Sequence, residues 1–262
     1  MILAIDVGNT DIVLGVFRDG ELVQNWRMET VSHRSADEYG MIIKQLFEFE
    51  NIKMSDIKDV IVSTVVPSIL YTLQHMTQKY FSTRAMVVGP GIKTGLKIIY
   101  DDPVQVGADR IVNAVGALSK YGGPVIIIDF GTATTFCACT KDWRYVGGAI
   151  APGLKISSDA LFEKTAKLPR IEIGEPASFI CKNTEDSMRS GLVLGHRGMV
   201  EYITSHMIEE LSVIDGTGEE IKVIATGGMA NLINAENSRI NIIDKMLTLE
   251  GMAFIYEKNK KD

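Results

Sequence analysis

The chain has 262 residues, 46% of them hydrophobic and 23% charged, and a net charge of −6. Those proportions are ordinary for a globular protein with room for one large core or two moderate ones. The acidic balance, with no long Lys/Arg run before Lys258–Lys261, argues against nucleic acid or an anionic membrane as the main partner.

The amino terminus, Met1-Ile2-Leu3-Ala4-Ile5-Asp6, meets a charge too early for a signal peptide, and no apolar stretch is long enough to span a bilayer. A cytoplasmic protein is the expectation. Strand Ile2–Ile5 runs into Asp6-Val7-Gly8-Asn9-Thr10, where Gly-Asn fits a two-residue primed turn. Further strands are expected at Ile12–Phe17 and Leu22–Met28. A helix follows near Ser35–Glu50, opened by a Ser35/Glu38 capping box and carrying an apolar stripe of Tyr39, Ile42, Ile43, Leu46 and Phe47. Strand Val60–Val65 leads to Pro67, suited to a helix start, and a helix to about Tyr80. Strand Ala85–Val88 ends at Gly89-Pro90-Gly91, giving the order βββαβαβ.

Gly107-Ala108-Asp109-Arg110 then precedes an apolar-periodic segment (Ile111, Val112, Val115, Leu118). Two readings of Asp109 stand here: a helix cap, or the carboxylate that receives a substrate hydroxyl proton while Arg110 holds an anionic group. Gly122-Gly123-Pro124 marks a seam, and the expected domains are an N-terminal half, 1–120, and a C-terminal half, 121–262.

The second half repeats the first. Strand Val125–Ile128 enters Asp129-Phe130-Gly131-Thr132, followed by strands Thr134–Thr140 and Arg144–Ile150. Cys137 and Cys139 alternate along one strand face with no nearby His; with Cys181 they make no disulfide framework and read as small hydrophobes. Gly147-Gly148-Ala149-Ile150-Ala151-Pro152-Gly153 ends one strand and opens a helix. A polar excursion around Pro169–Asn183 precedes a long helix, Glu185–Ser212, with Thr184 as its N-cap or as a ligand contact. Strand Lys222–Ala225, a short helix after Gly228, strand Ile240–Ile243 and a helix to about Tyr256 complete the chain. Gly227-Gly228 is read as a strand-to-helix turn or as a ledge for adenine and ribose. His33, His75, His196 and His206 lack metal spacing and read as surface or core histidines.

Alternation of β and α segments predicts an α/β fold. The two Asp-x-Gly turns lie nearly half the chain apart, which predicts a duplicated fold facing one ligand from both sides. Small residues let backbone N–H groups approach phosphate oxygens, hydroxyls add donors, and carboxylates hold a cation. The combined reading is a nucleotide phosphate clamp.

Five ordered motifs, Asp-x-Gly-Asn-Thr at 6–10, Gly-x-Asp-Arg at 107–110, Asp-Phe-Gly-Thr-Ala-Thr-Thr at 129–135, Gly-Gly-x-Ile-x-Pro-Gly at 147–153 and Asn-Thr at 183–184, together resemble the type III pantothenate kinases. The resemblance runs from residue 1 to about 255. It implies two ribonuclease H-like halves, each βββαβαβα, as in acetate and sugar kinases and actin-like ATPases. It also implies transfer of the ATP γ-phosphoryl to the primary hydroxyl of pantothenate, the first step toward coenzyme A. Asp109 then matches the proton acceptor; Tyr100, Gly107, Ala108, Asp109, Arg110 and Thr184 match substrate contacts. Asp6, Val7, Gly8, Asn9, Thr10, Asp11, Ile12 and Val13 match the first ATP turn, and Thr132 the second. Asp129 matches a ligand of the monovalent cation, K+ or NH4+, and Asp6 is the protein carboxylate near Mg2+. A homodimer is implied as well. Two other readings stay open: another small-molecule kinase or phosphatase on the same fold, and a nucleotide-sensing regulator of transcription.

Overall fold

The structure is a computed structural model, and it describes residues 1–234 and 239–260. In chain order the strands and helices begin with β1 (Ile2–Val7), β2 (Asp11–Arg18), β3 (Glu21–Glu29), α1 (Ala36–Phe49), β4 (Asp59–Thr64), α2 (Pro67–Phe81) and β5 (Met86–Val87). Next come β6 (Lys97–Ile98), α3 (Ala108–Tyr121), β7 (Val125–Phe130), β8 (Ala133–Cys139) and β9 (Arg144–Pro152). The chain closes with α4 (Leu154–Lys164), α5 (Thr184–Asp215), β10 (Lys222–Thr226), α6 (Ala230–Ile233), β11 (Ile242–Ile243) and α7 (Leu247–Asn259).

These elements form two compact units. The first contains a five-stranded sheet in the order β3-β2-β1-β4-β5. The β1–β2 and β2–β3 pairs are antiparallel, whereas β4 runs parallel to β1 and β5 to β4. Alternation puts Leu3, Ile5 and Val7 on one face, packed with Tyr39, Ile43 and Phe47 of α1 and Ile69, Leu73 and Met76 of α2. The capping box forms as expected: Glu38 N–H donates to Ser35 Oγ at 3.2 Å, and Ser35 N–H donates to the Glu38 carboxylate at 2.7 Å. Pro67 is the first residue of α2, where its missing N–H costs no hydrogen bond.

The second unit repeats the ladder. Its six-stranded sheet runs β11-β10-β7-β8-β9-β6, so β9-β8-β7-β10-β11 stands in the place of β3-β2-β1-β4-β5, with the same strand directions. Ile126, Ile128, Phe130 and Phe136 line one face, against Leu154 of α4, Val193, Val200 and Leu211 of α5 and Ile233 of α6. Cys137 and Cys139 are buried, as small hydrophobes should be. The duplication read from the two Asp-x-Gly turns is therefore a repeat of topology.

Three features depart from the sequence expectations. The units do not follow the halves 1–120 and 121–262, because α7 packs in the first unit and Leu96–Asp101 in the second. The physical reason for the first exchange is a close helix crossing. A Cβ on Gly251 would lie 2.2 Å from the Val112 carbonyl oxygen, and one on Gly116 would lie 2.7 Å from that of Leu247. Strand β6 had no sequence signal: two residues are too few to show alternation, and it exists by parallel pairing of Lys97 and Ile98 with Arg144 and Tyr145. The first turn is also not a primed hairpin. Val7 pairs with Ile12, leaving four residues between them, and neither Gly8 nor Asn9 has a positive φ.

Candidate active site

In the first unit, Asp6 sits one residue before the end of β1, in register with Val13 of β2 and Ser63 of β4. Beyond Val7 the chain turns through Gly8, Asn9, Thr10 and Asp11, closed by a 2.9 Å bond from Gly8 N–H to the Asp11 carbonyl. Thr30, just past β3, braces this turn twice. Its hydroxyl donates to the Gly8 carbonyl at 2.8 Å, and its N–H donates to the Thr10 carbonyl at 2.9 Å. Arg27 reaches the Asp11 carboxylate at 3.0 Å from an exposed position. Val7 and Ile12 are buried in the core, so within the segment 6–13 they can meet a ligand only through backbone. Asn9 is exposed and free of the core.

Residues 107–110 open α3. Asp109 is the second residue of the helix, not its cap, and its Oδ1 accepts from the N–H of Arg110 at 2.8 Å. The carboxyl folds over Gly107, where a Cβ would lie 2.6 Å from that oxygen and 3.9 Å from the Val65 side chain. Val65 in turn donates its N–H to the Val7 carbonyl at 3.1 Å, so the Gly107 bend and the first turn share a neighbour. Burial pushes the Asp109 carboxyl above its ordinary range, while the Arg110 N–H and guanidinium charge pull against that shift. Arg110 itself is buried.

In the second unit, Asp129 lies one residue before the end of β7, in register with Thr135 and Thr226. The turn Gly131-Thr132-Ala133 follows. Its neighbours are bare backbone. A Cβ on Gly153, which caps α4, would lie 2.3 Å from the Thr132 carbonyl oxygen. One on Gly227, which follows β10 with φ +91°, would lie 2.7 Å from Asp129 Oδ1 and from the Phe130 backbone. Only glycine fits at either place. Gly227 thus packs against Asp129, in addition to turning the strand toward α6.

Thr184 and Tyr100 sit on other elements of this unit. The N-cap of α5 is Asn183, whose side-chain oxygen accepts from Asp186 N–H at 2.8 Å. Thr184 is therefore released from capping; it lines an open cleft of about 540 Å³ with Leu168, Cys181, Lys182, Asn183, Ser187 and Met188. The excursion before α5 is tied back by Arg189 to the Glu172 carbonyl at 3.2 Å and by Arg197 to Glu175 at 2.6 Å. Tyr100 packs edge-on against Tyr145 of β9, with ring centroids 6.3 Å apart. The pairing of β6 with β9 puts it there.

Among the described residues no cluster of three or more His, Cys, Asp or Glu is built for a metal. A Cβ on Gly131 would lie at van der Waals distance, 3.6 Å, from both Asp129 Oδ1 and the Ala133 carbonyl, so the turn passes close beside Asp129. His196, read from the sequence as a surface or core histidine, is a core one. It is buried on α5, its Nε2 is 2.9 Å from Thr134 Oγ1, and its ring lies 6.1 Å from that of Phe130. Its place in the stripe Val193–His196–Val200 was the available signal.

A family model described as type III pantothenate kinase matches residues 2–206. Among solved structures, a Baf family transcriptional activator from Campylobacter jejuni has a TM-score of 0.60 at 19% identity, covering 98% of this chain and 98% of its own. The ethanolamine utilization protein EutJ from Carboxydothermus hydrogenoformans has a TM-score of 0.52 at 17% identity, covering 97% and 89%. Component A of (R)-2-hydroxyglutaryl-CoA dehydratase from Acidaminococcus fermentans gives 0.50 at 15%, covering 97% and 96%. These likenesses are of fold. No helix among the described residues is long and apolar enough to cross a membrane.

Proposed function

The chain belongs to the type III pantothenate kinase family, phosphotransferases with an alcohol group as acceptor, and we propose that it phosphorylates the primary hydroxyl of pantothenate at the expense of ATP. Asp109 carries this reading. It is a half-buried carboxyl in the first turn of a helix, raised above its ordinary range by burial although it accepts from the Arg110 N–H. A carboxylate whose basicity is raised by burial is suited to take a proton from a weakly acidic hydroxyl as the new O–P bond forms. Phosphoryl transfer otherwise depends on positioning and charge neutralisation.

The remaining roles follow from chemistry. The 8–11 turn, apart from the Gly8 N–H that closes it, and Gly131–Thr132 bind phosphate oxygens through backbone N–H groups and hydroxyls, and Gly107, Ala108, Arg110, Tyr100 and Thr184 position pantothenate, Arg110 against its carboxylate. Asp6 would hold Mg2+ and Asp129 a monovalent cation, K+ or NH4+, which when bound would supply neutralisation of phosphate charge. Because Asp129 would hold a cation, Asp109 takes the proton. A homodimer belongs to the same proposal, on the family resemblance alone.

The test is a coupled ADP-release assay with pantothenate, a sugar panel and buffer, each run in K+, NH4+ and Na+. Turnover with pantothenate alone, falling sharply when Na+ replaces K+ and NH4+, is the expected result. ATP binding without turnover on any acceptor would favour the regulator reading. Turnover on a sugar, or ATP hydrolysis in buffer, would place the chain among the other kinases or phosphatases.

A further inference from the structure

The Gly131–Thr132 turn stands on the last rung of the β7–β8 ladder, where Phe130 pairs with Thr134. Directly paired residues of antiparallel strands share a face, and this face is the one packed against α5. On β7 and β8 it carries Ile126, Ile128, Phe130, Phe136 and Ala138, with Thr134 as the polar side chain among them. There the Thr134 hydroxyl, 1% exposed, meets Nε2 of His196, 7% exposed, at 2.9 Å. The imidazole also lies tilted 54° against the Phe130 ring, so it touches both residues of the rung.

For packing alone, a leucine at 196 and a valine at 134 would fill this space without burying polar atoms. A buried imidazole and hydroxyl are costly unless they satisfy each other. What the pair adds over an apolar contact is direction. A hydrogen bond fixes the Thr134 side chain and the spacing of α5 from the rung, which dispersion contacts leave loose. Burial holds the His196 pKa below its ordinary value, and either tautomer of the neutral ring can make the bond.

We propose that His196 is a positioning residue for nucleotide binding: acting through Thr134 and Phe130, it holds the Gly131–Thr132 turn in the geometry that receives ATP phosphate. The proposal rests on reading that turn as a nucleotide contact. It assigns a role to a side chain on α5 that does not itself reach the ligand.

The experiment titrates ATP with Mg2+ onto the full chain by calorimetry, for the wild type, His196→Leu, His196→Gln, Thr134→Val and the His196→Leu/Thr134→Val double variant. Loss of one well-aligned hydrogen bond corresponds to roughly a fivefold to tenfold change in affinity. His196→Leu is expected to weaken ATP by that factor and raise the KM for ATP equally, leaving the KM for pantothenate unchanged. His196→Gln, which presents a polar nitrogen at similar reach, should recover most of the loss. Thr134→Val should reproduce His196→Leu, and the double variant should be no weaker than either single one. ATP affinity unchanged in His196→Leu, no recovery with Gln, or additive losses in the double variant would each overturn the proposal. Should His196→Leu not fold, Thr134→Val and His196→Gln decide it: equal ATP affinity to wild type in Thr134→Val overturns it. A wild type that fails to bind ATP overturns the nucleotide reading and this proposal together. One that binds ATP without using pantothenate overturns only the substrate reading.

Discussion

In the first unit the turn after β1 is held by hydrogen bonds from Thr30, at the end of β3, and from Val65, just past β4. In the second unit the places of Thr30 and Val65 are taken by Gly153, after β9, and Gly227, after β10, and the turn after β7 is held by direct backbone contact. The ladders are the same; the braces are not. A turn held by hydrogen bonds, one of them from the Thr30 hydroxyl, tolerates small adjustments, since a hydroxyl can rotate with its acceptor. A turn boxed in by glycine backbone cannot yield without moving a strand end. The second turn also carries Asp129 and is backed by the buried Thr134–His196 pair, so rigidity is concentrated there.

The carboxylates sharpen the comparison most. If the first unit supplies the proton acceptor and the second the cation ligand, Asp109→Asn should lower turnover by roughly a hundredfold to ten-thousandfold, the usual range for removal of a general base. ATP affinity and the thermal midpoint should stay near wild type, because Asn keeps an oxygen for the Arg110 N–H. The pH profile gives a second reading. Burial raises the Asp109 carboxyl, so kcat/KM should fall with acidification through a pKa above the ordinary carboxylate value of about 3.9. Asp109→Asn should lack that limb.

Next comes the difference in bracing. Gly227→Ala places a methyl 2.7 Å from Asp129 Oδ1 and the Phe130 backbone, at a φ that alanine resists. A loss of about 3 kcal/mol in urea unfolding is expected, from overpacking together with backbone strain. In the first unit, Thr30→Val removes one hydroxyl donor and keeps the branched shape. Its cost should be about 1 kcal/mol. Equal costs for the two variants would mean that the turns are braced alike after all.

Much of this was legible in the sequence, and the parts that were not have physical causes. Strands β1, β2 and β7 announce themselves by apolar runs and nearby glycines, and α1 by its capping box and stripe. Those signals are local. The pairing of β6 with β9 and the crossing of α3 by α7 depend on partners far along the chain, which local patterns do not encode. The capping of α5 by Asn183 rather than Thr184 turned on one residue, since both types cap well. The Gly227 turn was seen, but its purpose was not: only the fold shows that it packs against Asp129. His196 was set aside for want of metal spacing, and its bond to Thr134 could be found only once α5 lay on β8.

The smallest effect tests how the first unit keeps the helix whose chain neighbours lie in the second. Tyr256 on α7 donates its hydroxyl to Asp59, the first residue of β4, at 2.7 Å. Burial, then the bond to Asp59 and its charge, push the Tyr256 pKa up to about 12. In the unfolded chain a tyrosine ionises near 10. A group whose pKa is raised by folding stabilises the fold fully below its unfolded pKa and loses that contribution as pH rises through the folded value. The bond should therefore act in full up to about pH 10 and fade toward pH 12. Tyr256→Phe should cost about 1 kcal/mol in urea unfolding at pH 8. The gap between the two proteins should narrow above pH 10, because only the wild type has a phenol whose ionisation opposes folding. Equal stability of the two proteins at pH 8 would mean that Tyr256 contributes by ring packing alone, since Phe keeps the ring. The anchor of α7 would then be the close crossing at Gly116 and Gly251, and the first unit would hold its distant helix, as the second holds its turn, by backbone contact.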